Sequence, residues 1–203
     1  MEVESIMFDF KDYYDKIANL LPENCTVCEV GVANGASALF LANQLRTKSK
    51  PFKMYMVDNM DYGGMNQLNT IWRNVHNSGL ADFIEIIPKD SVTASHDFNG
   101  DSLDFLFLDS SHEFLPTRKE IYNWYSKLKD GCIMAGHDYF SVENPGVKKA
   151  VDLMLPETIQ RPPIVETNQS FPEHQFLHTY QTERENGIWE ITKVFYWQPT
   201  LKK

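Results

Sequence analysis

The feature that most constrains this chain is a repeated alternation. Short apolar runs, each closed by a glycine or a polar residue, are separated by longer amphipathic stretches. The runs are Thr26–Val30, Lys53–Val57, Phe83–Ile87, Leu103–Leu108 and Cys132–Ala135. Their length and apolar character suit strands of a parallel sheet, with the intervening stretches supplying crossover helices. After the first run, Ala38, Leu41, Ala42 and Leu45 recur at helical spacing. Met65, Leu68, Trp72 and Val75 predict a second stripe, and Ser91–Phe98 a short third helix. Pro116 suits a first helical turn, with Ile121, Tyr125 and Leu128 carrying that helix to Asp130–Gly131. A lead helix over Lys11–Leu20 and a late one over Gly146–Met154 complete the set.

The pattern breaks at Pro156–Pro163, and two β-rich segments follow, Phe176–Gln181 and Ile188–Trp197, flanking Asn186–Gly187, a hairpin signal. The expected fold class is α/β: a doubly wound, mostly parallel seven-stranded sheet, Rossmann-like, with a C-terminal antiparallel hairpin. Residues 1–203 read as one domain, with a helical lead-in (1–24), a βα core (25–155) and a C-terminal loop and hairpin (156–203).

Charge narrows the partners. A formal net charge of −9 argues against nonspecific binding to nucleic acid or an anionic membrane, which needs a positive field. The Cys25/Cys28 pair invites a redox or zinc reading, but residues three apart in a strand face opposite ways. No second Cys/His pair follows at zinc spacing, so buried structural thiols are expected. With neither a signal-like start nor an apolar run of membrane length, a cytoplasmic protein is expected.

In such folds ligands bind beyond the carboxyl ends of the strands. Those ends carry Glu29–Gly35, Asp58, Asp90–Ser91, Asp109–His112 and Gly136–Asp138. Gly31 and Gly35 let the backbone turn sharply and approach a ligand, and Asp58 is placed to accept from ribose hydroxyls. The glycine spacing is GxxxG, not the GxGxxG of dinucleotide folds, which ranks a nicotinamide or flavin enzyme second. Asp109 and His137–Asp138 end adjacent central strands and can converge on one point. Three readings stay open there: a metal site, a histidine general base at His112 or His137, or a hydrogen-bonded loop anchor. His76, His96, His174 and His178 have no partner spacing.

Residues Cys28–Gly35 resemble the first motif of class I S-adenosylmethionine-dependent methyltransferases. Leu108-Asp-Ser-Ser-His112 and the later Gly136-His-Asp-Tyr139 are similar to motifs of a small bacterial and phage subgroup (methyltransferase domain 24-like). The resemblance implies that Glu29, Gly31, Asn34 and Gly35 wrap the methionine part of the cofactor. It also implies that Asp58 holds the ribose, that Asp90 and Ser91 border the adenine, and that Asp109 lies beside the cofactor. Catechol-type O-methyltransferases keep a divalent cation at the ends of strands four and five, held by an Asp and an Asp-Asn pair. Here Asp109, His137 and Asp138 stand at those positions, and the imidazole shifts the preference towards a metal that accepts nitrogen.

The implied activity is O-methylation of a small-molecule or sugar hydroxyl, with His112, His137 and Asp109 at the reacting end. Alternatives are a nucleotide-dependent oxidoreductase or hydroxylase on the same scaffold, or a non-catalytic S-adenosylmethionine-binding module. Loops Asn59–Gly64, Ser141–Pro145 and Glu166–Gln175 are expected to rim the acceptor. A homodimer is the expected assembly.

Overall fold

A computed structural model of the chain describes residues 8–159, 174–182, 186–194 and 197–201. Helix α1 (Lys11–Leu20) leads into β1 (Cys25–Val30), α2 (Ala36–Thr47), β2 (Phe52–Asp58), α3 (Met65–Asn77) and β3 (Ile84–Pro88). Then come α4 (Ser91–Ser95), β4 (Leu103–Leu108), α5 (Phe114–Tyr125), β5 (Leu128–Gly136) and α6 (Pro145–Met154). The C-terminal part adds β6 (Thr158–Ile159), β7 (His174–Gln175), β8 (Leu177–Tyr180) and β9 (Ile188–Thr192).

Seven strands form one sheet in the order β3-β2-β1-β4-β5-β9-β8, the first five mutually parallel and β9 antiparallel to both of its neighbours, β5 and β8. The doubly wound sheet and its C-terminal hairpin are as the pattern predicts. The order reverses between β1 and β4, and at such a switch point the flanking crossovers leave on opposite faces and open a crevice.

Alternation within the strands divides the interior into two layers. Val27, Met54, Met56 and Phe107 pack with Ile17, Leu41 and Ile71 on one face. Cys28, Val57, Leu106 and Leu108 pack with Ile121, Trp124 and Val151 on the other. Cys25 and Cys28 fall in opposite layers, both free, and burial pushes the Cys25 thiol up to about 11. Both pack in the core, in opposite layers, as expected of structural thiols.

Three expectations shift. Helix α5 stops at Tyr125, and Leu128 is already a strand residue paired with Leu103. The backbone there is committed sideways: Ser126 and Lys127 carbonyls accept from the Asp101, Ser102 and Leu103 amides, which ends the helical ladder. The buried stripe of α3 runs through Gln67, Ile71 and Val75, whereas Met65 and Trp72 are exposed. Two short strands pair antiparallel, β6 within the expected break and β7 at the end of the expected rim loop.

Strand β9 lies between β5 and β8 and is buried on both sides, with Ile188, Trp189, Glu190 and Ile191 all inaccessible, so its alternating residues serve the core. Residues 160–163 of the proline-rich break, 166–173 of the expected rim loop and 195–196 of the expected last strand lie outside the described residues. No helix among the described residues is long and apolar enough to cross a membrane.

Candidate active site

A cleft of about 880 Å³ opens over the carboxyl ends of β1, β2, β4 and β5. Its first wall is the turn after β1. Gly31 has φ +84°, and a Cβ there would lie 2.2 Å from the Asp109 carbonyl oxygen, so only glycine lets the β1 and β4 ends come together. Gly35 also has positive φ and opens α2.

Asp58, at the end of β2, holds this turn. Its Oδ2 accepts from the amides of Val32 (3.0 Å) and Ala33 (3.1 Å). Its Oδ1 accepts from the Met60 amide (2.8 Å) and Gln67 Nε2 (3.1 Å). Four donors occupy the roughly four acceptor positions of a carboxylate. Gln67 Nε2 also donates to the Ala33 carbonyl at 3.0 Å, tying α3 to the same turn.

Glu29 lies behind the wall, 1% exposed. It accepts from Tyr14 Oη at 2.7 Å and from Ser37 Oγ, and Ser37 lines the cleft. Burial pushes the Glu29 carboxyl up to about 8, against the lowering pull of its two hydroxyl donors. Gly31, Asn34, Asp90 and Ser91 line the cleft, whereas Glu29 and Gly35 support it from beneath. Asp90 caps α4 by accepting from the Thr93 amide at 2.9 Å, and Ser91 Oγ accepts from Trp124 Nε1 at 3.0 Å.

The far end gathers the groups from β4 and β5. One ligand atom each from Asp109, His137 and Asp138 lie within 4.8 Å of one another, a set that could hold a metal ion. His137 Nδ1 is 3.5 Å from Asp109 Oδ1 and 3.6 Å from Asp138 Oδ1. His137 Nε2 is 2.9 Å from Asp9 Oδ1, an ion-pair distance. Burial opposes the imidazolium, but the Asp109 hydrogen bond and the carboxylates of Asp109, Asp138 and Asp9 outweigh it, pushing His137 up to about 9.

His112 Nε2 pairs with Asp138 Oδ2 at 3.0 Å, and that bond raises the His112 pKa. For Asp138, burial raises the carboxyl pKa, but the His112 bond and the two imidazoles prevail and lower it. Asp138 has φ +62°, a left-handed conformation uncommon for a residue with a side chain, and is 4% exposed. Strain of this kind concentrates at functional sites. Eight carboxylates, from Asp9, Asp58, Asp61, Asp90, Asp109, Glu113, Glu120 and Asp138, line the cleft. No lysine or arginine lines it among the described residues.

The family model for a methyltransferase domain matches residues 28–139, more than half of the chain and all of the strand ends just described. The chain belongs to this methyltransferase family. Among solved structures, an O-methyltransferase from Bacillus cereus in complex with SAH shares 13% identity, with a TM-score of 0.63 over 95% of this chain and 83% of that one. A SAM-dependent O-methyltransferase from Thermotoga maritima shares 18%, at 0.59, over 96% and 68%. An rRNA methylase from Streptococcus thermophilus shares 16%, at 0.61, over 93% and 98%. At these identities the likeness is one of fold. No curated protein matches the sequence.

Several residues of this methyltransferase's cleft escaped the sequence reading. Phe8, Asp9 and Phe10 reach it from ahead of α1, with the Phe10 and His137 ring centroids 4.9 Å apart. Nothing in the local sequence marks them, because Asp9 and Phe10 meet His137, a residue remote from them in the chain. Glu120 could have been found: it is an acid within the buried stripe of α5, beside Thr117, Ile121 and Trp124. It accepts from Ser110 Oγ at 2.5 Å, and burial pushes its carboxyl up to about 7.

Proposed function

We propose that the chain is an S-adenosylmethionine-dependent O-methyltransferase acting on a small-molecule hydroxyl, with Asp109, His137 and Asp138 binding a divalent metal beside the methyl donor. The observation that carries this reading is the convergence of three ligand atoms, one imidazole and two carboxylates, at the reacting end of the cleft. That donor set suits Mn²⁺, Fe²⁺ or Zn²⁺ better than Mg²⁺. A divalent ion bound there would lower the pKa of a coordinated hydroxyl.

The chain's own residues account for the rest. The acidic lining favours a sulfonium cation and disfavours a polyanionic acceptor such as RNA. Asp58 fixes the turn that receives the methionine part, through Gly31 and Asn34. Its acceptor positions are already filled, so ribose hydroxyls take over from the Met60 or Gln67 donors there or meet neighbouring Asn59 and Asp61. Asp90 and Ser91 border the adenine. The acceptor oxygen gives its proton to water at the open mouth of the cleft and attacks the methyl carbon in line, its new O–C bond replacing the S–C bond as S-adenosylhomocysteine leaves.

A second reading rests on the His112–Asp138 pair. Without a metal, the carboxylate orients the imidazole as a general base, as in other Asp–His pairs.

The test is calorimetric titration with S-adenosylhomocysteine, followed by transfer of labelled methyl to pooled hydroxylated metabolites before and after chelation. Binding, with transfer lost on chelation and restored by Mn²⁺, is expected. Transfer that persists in chelator but is lost in His112→Ala selects the histidine base. Absence of S-adenosylhomocysteine binding overturns the reading altogether.

A further inference from the structure

A second groove lies across the loop that follows β5, outside the cleft. It encloses about 700 Å³, a volume that suits a small ligand. Phe114 from the start of α5, Tyr139, Phe140 and Val142 from the loop, and Leu153 from α6 form an apolar wall. Val142 is 93% exposed and Leu153 53%, so this surface presents unburied apolar area to water.

Two lysines stand on its rim, and they differ in what neutralises them. Lys148 Nζ is paired with Asp152 at 2.7 Å and donates to Tyr139 Oη at 3.0 Å. Lys149 Nζ sits 4.6 Å from the centre of the Phe114 ring and has no ion pair among the described residues. An uncompensated cation beside an apolar trough is a distinctive feature in a chain of net charge −9. The groove adjoins the reacting end: Glu113 and Asn144 line the cleft, and their chain neighbours Phe114 and Pro145 line the groove.

We infer that this groove binds a small free molecule with an apolar body and a carboxylate head, the body against Phe140, Val142 and Leu153 and the head at Lys149. Apolar burial supplies the affinity, and the cation selects the anion over its neutral counterpart. The inference stands independently of methyl transfer.

Calorimetric titration of the full chain with decanoate and with decanol tests it. Decanoate is expected to bind at one site and more tightly than decanol. Lys149→Gln weakens decanoate roughly threefold to fivefold, the scale of an exposed ion pair, and leaves decanol unchanged. Leu153→Glu, or Val142→Glu as a second exposed site, removes both. S-adenosylhomocysteine titrated in parallel reports on the cleft and keeps its affinity in all three variants. Decanoate binding that survives Leu153→Glu and Val142→Glu overturns the inference, as does a wild-type preference for decanol. Binding to phosphatidylglycerol vesicles but not to free decanoate overturns it too. Failure of S-adenosylhomocysteine binding alone would leave the groove standing and remove the methyltransferase reading.

Discussion

Replacing Glu29 by glutamine should stabilise the protein at alkaline pH, by an amount the structure lets us work out. The carboxyl is 1% exposed and is pushed from an ordinary 4.5 to about 8, chiefly by burial. A raised carboxyl means that between those two values the folded chain holds a proton the unfolded chain has released. Stability therefore falls as pH rises through that window. At 1.36 kcal/mol per pH unit, the full difference is roughly 5 kcal/mol above pH 8. Glutamine keeps the shape and cannot ionise. Like the protonated acid, it offers Tyr14 and Ser37 one acceptor and one donor, so the variant should match the wild type within about 1 kcal/mol at pH 5. Urea unfolding of both proteins at steps from about pH 5 to about pH 9 gives the difference directly. Other groups titrate in this range, but they cancel in the comparison. A difference that stays flat across the range would refute the claim that an ionisable, desolvated carboxyl lies behind the turn after β1.

Three further outcomes follow from the same geometry. Gly31→Ala drives a Cβ against the Asp109 backbone at a left-handed position, and should cost at least 2 to 3 kcal/mol in urea unfolding, with S-adenosylhomocysteine binding lost. Asp58→Ala leaves the buried amides of Val32 and Met60 without an acceptor, at about 1–3 kcal/mol each, and should weaken S-adenosylhomocysteine binding at least tenfold by calorimetry. In metal-free protein, prepared with chelator, His137, raised from 6.5 to about 9, contributes stability that is complete below pH 6.5 and lost as pH climbs through 9; thermal melts of His137→Gln should lack that decline.

The strand succession was readable because each element carries its own signature. β4 is buried at every position and reads as an apolar run broken only by Asp104, and α2 shows its stripe at Ala38, Leu41, Ala42 and Leu45. Gly31, Asp58, Asp109 and His137 were legible for a related reason: a polar or glycine residue ending an apolar strand has few structural duties other than a turn or a ligand. The end of α5 was not legible. Leu128 continues the helical spacing, but the hydrogen bonds from residues 101–103 claim its neighbours for the sheet. Nor was the stripe of α3, because Trp72 is apolar by type yet exposed, while Gln67 is polar yet buried by its bonds to Asp58 and Ala33.

The sequence by itself determined which segments become strands and helices, and that the acids and glycines at the strand ends share one rim, since periodicity and chain direction are local properties. Tertiary structure alone decided how those groups are used. It filled Asp58 with donors, withdrew Glu29 into the interior, brought Asp9 to His137, and turned Asp138 into the left-handed region that lets it meet His112. Hydrogen bonding, burial and charge pairing depend on distances between residues remote in the chain, and only folding sets those distances.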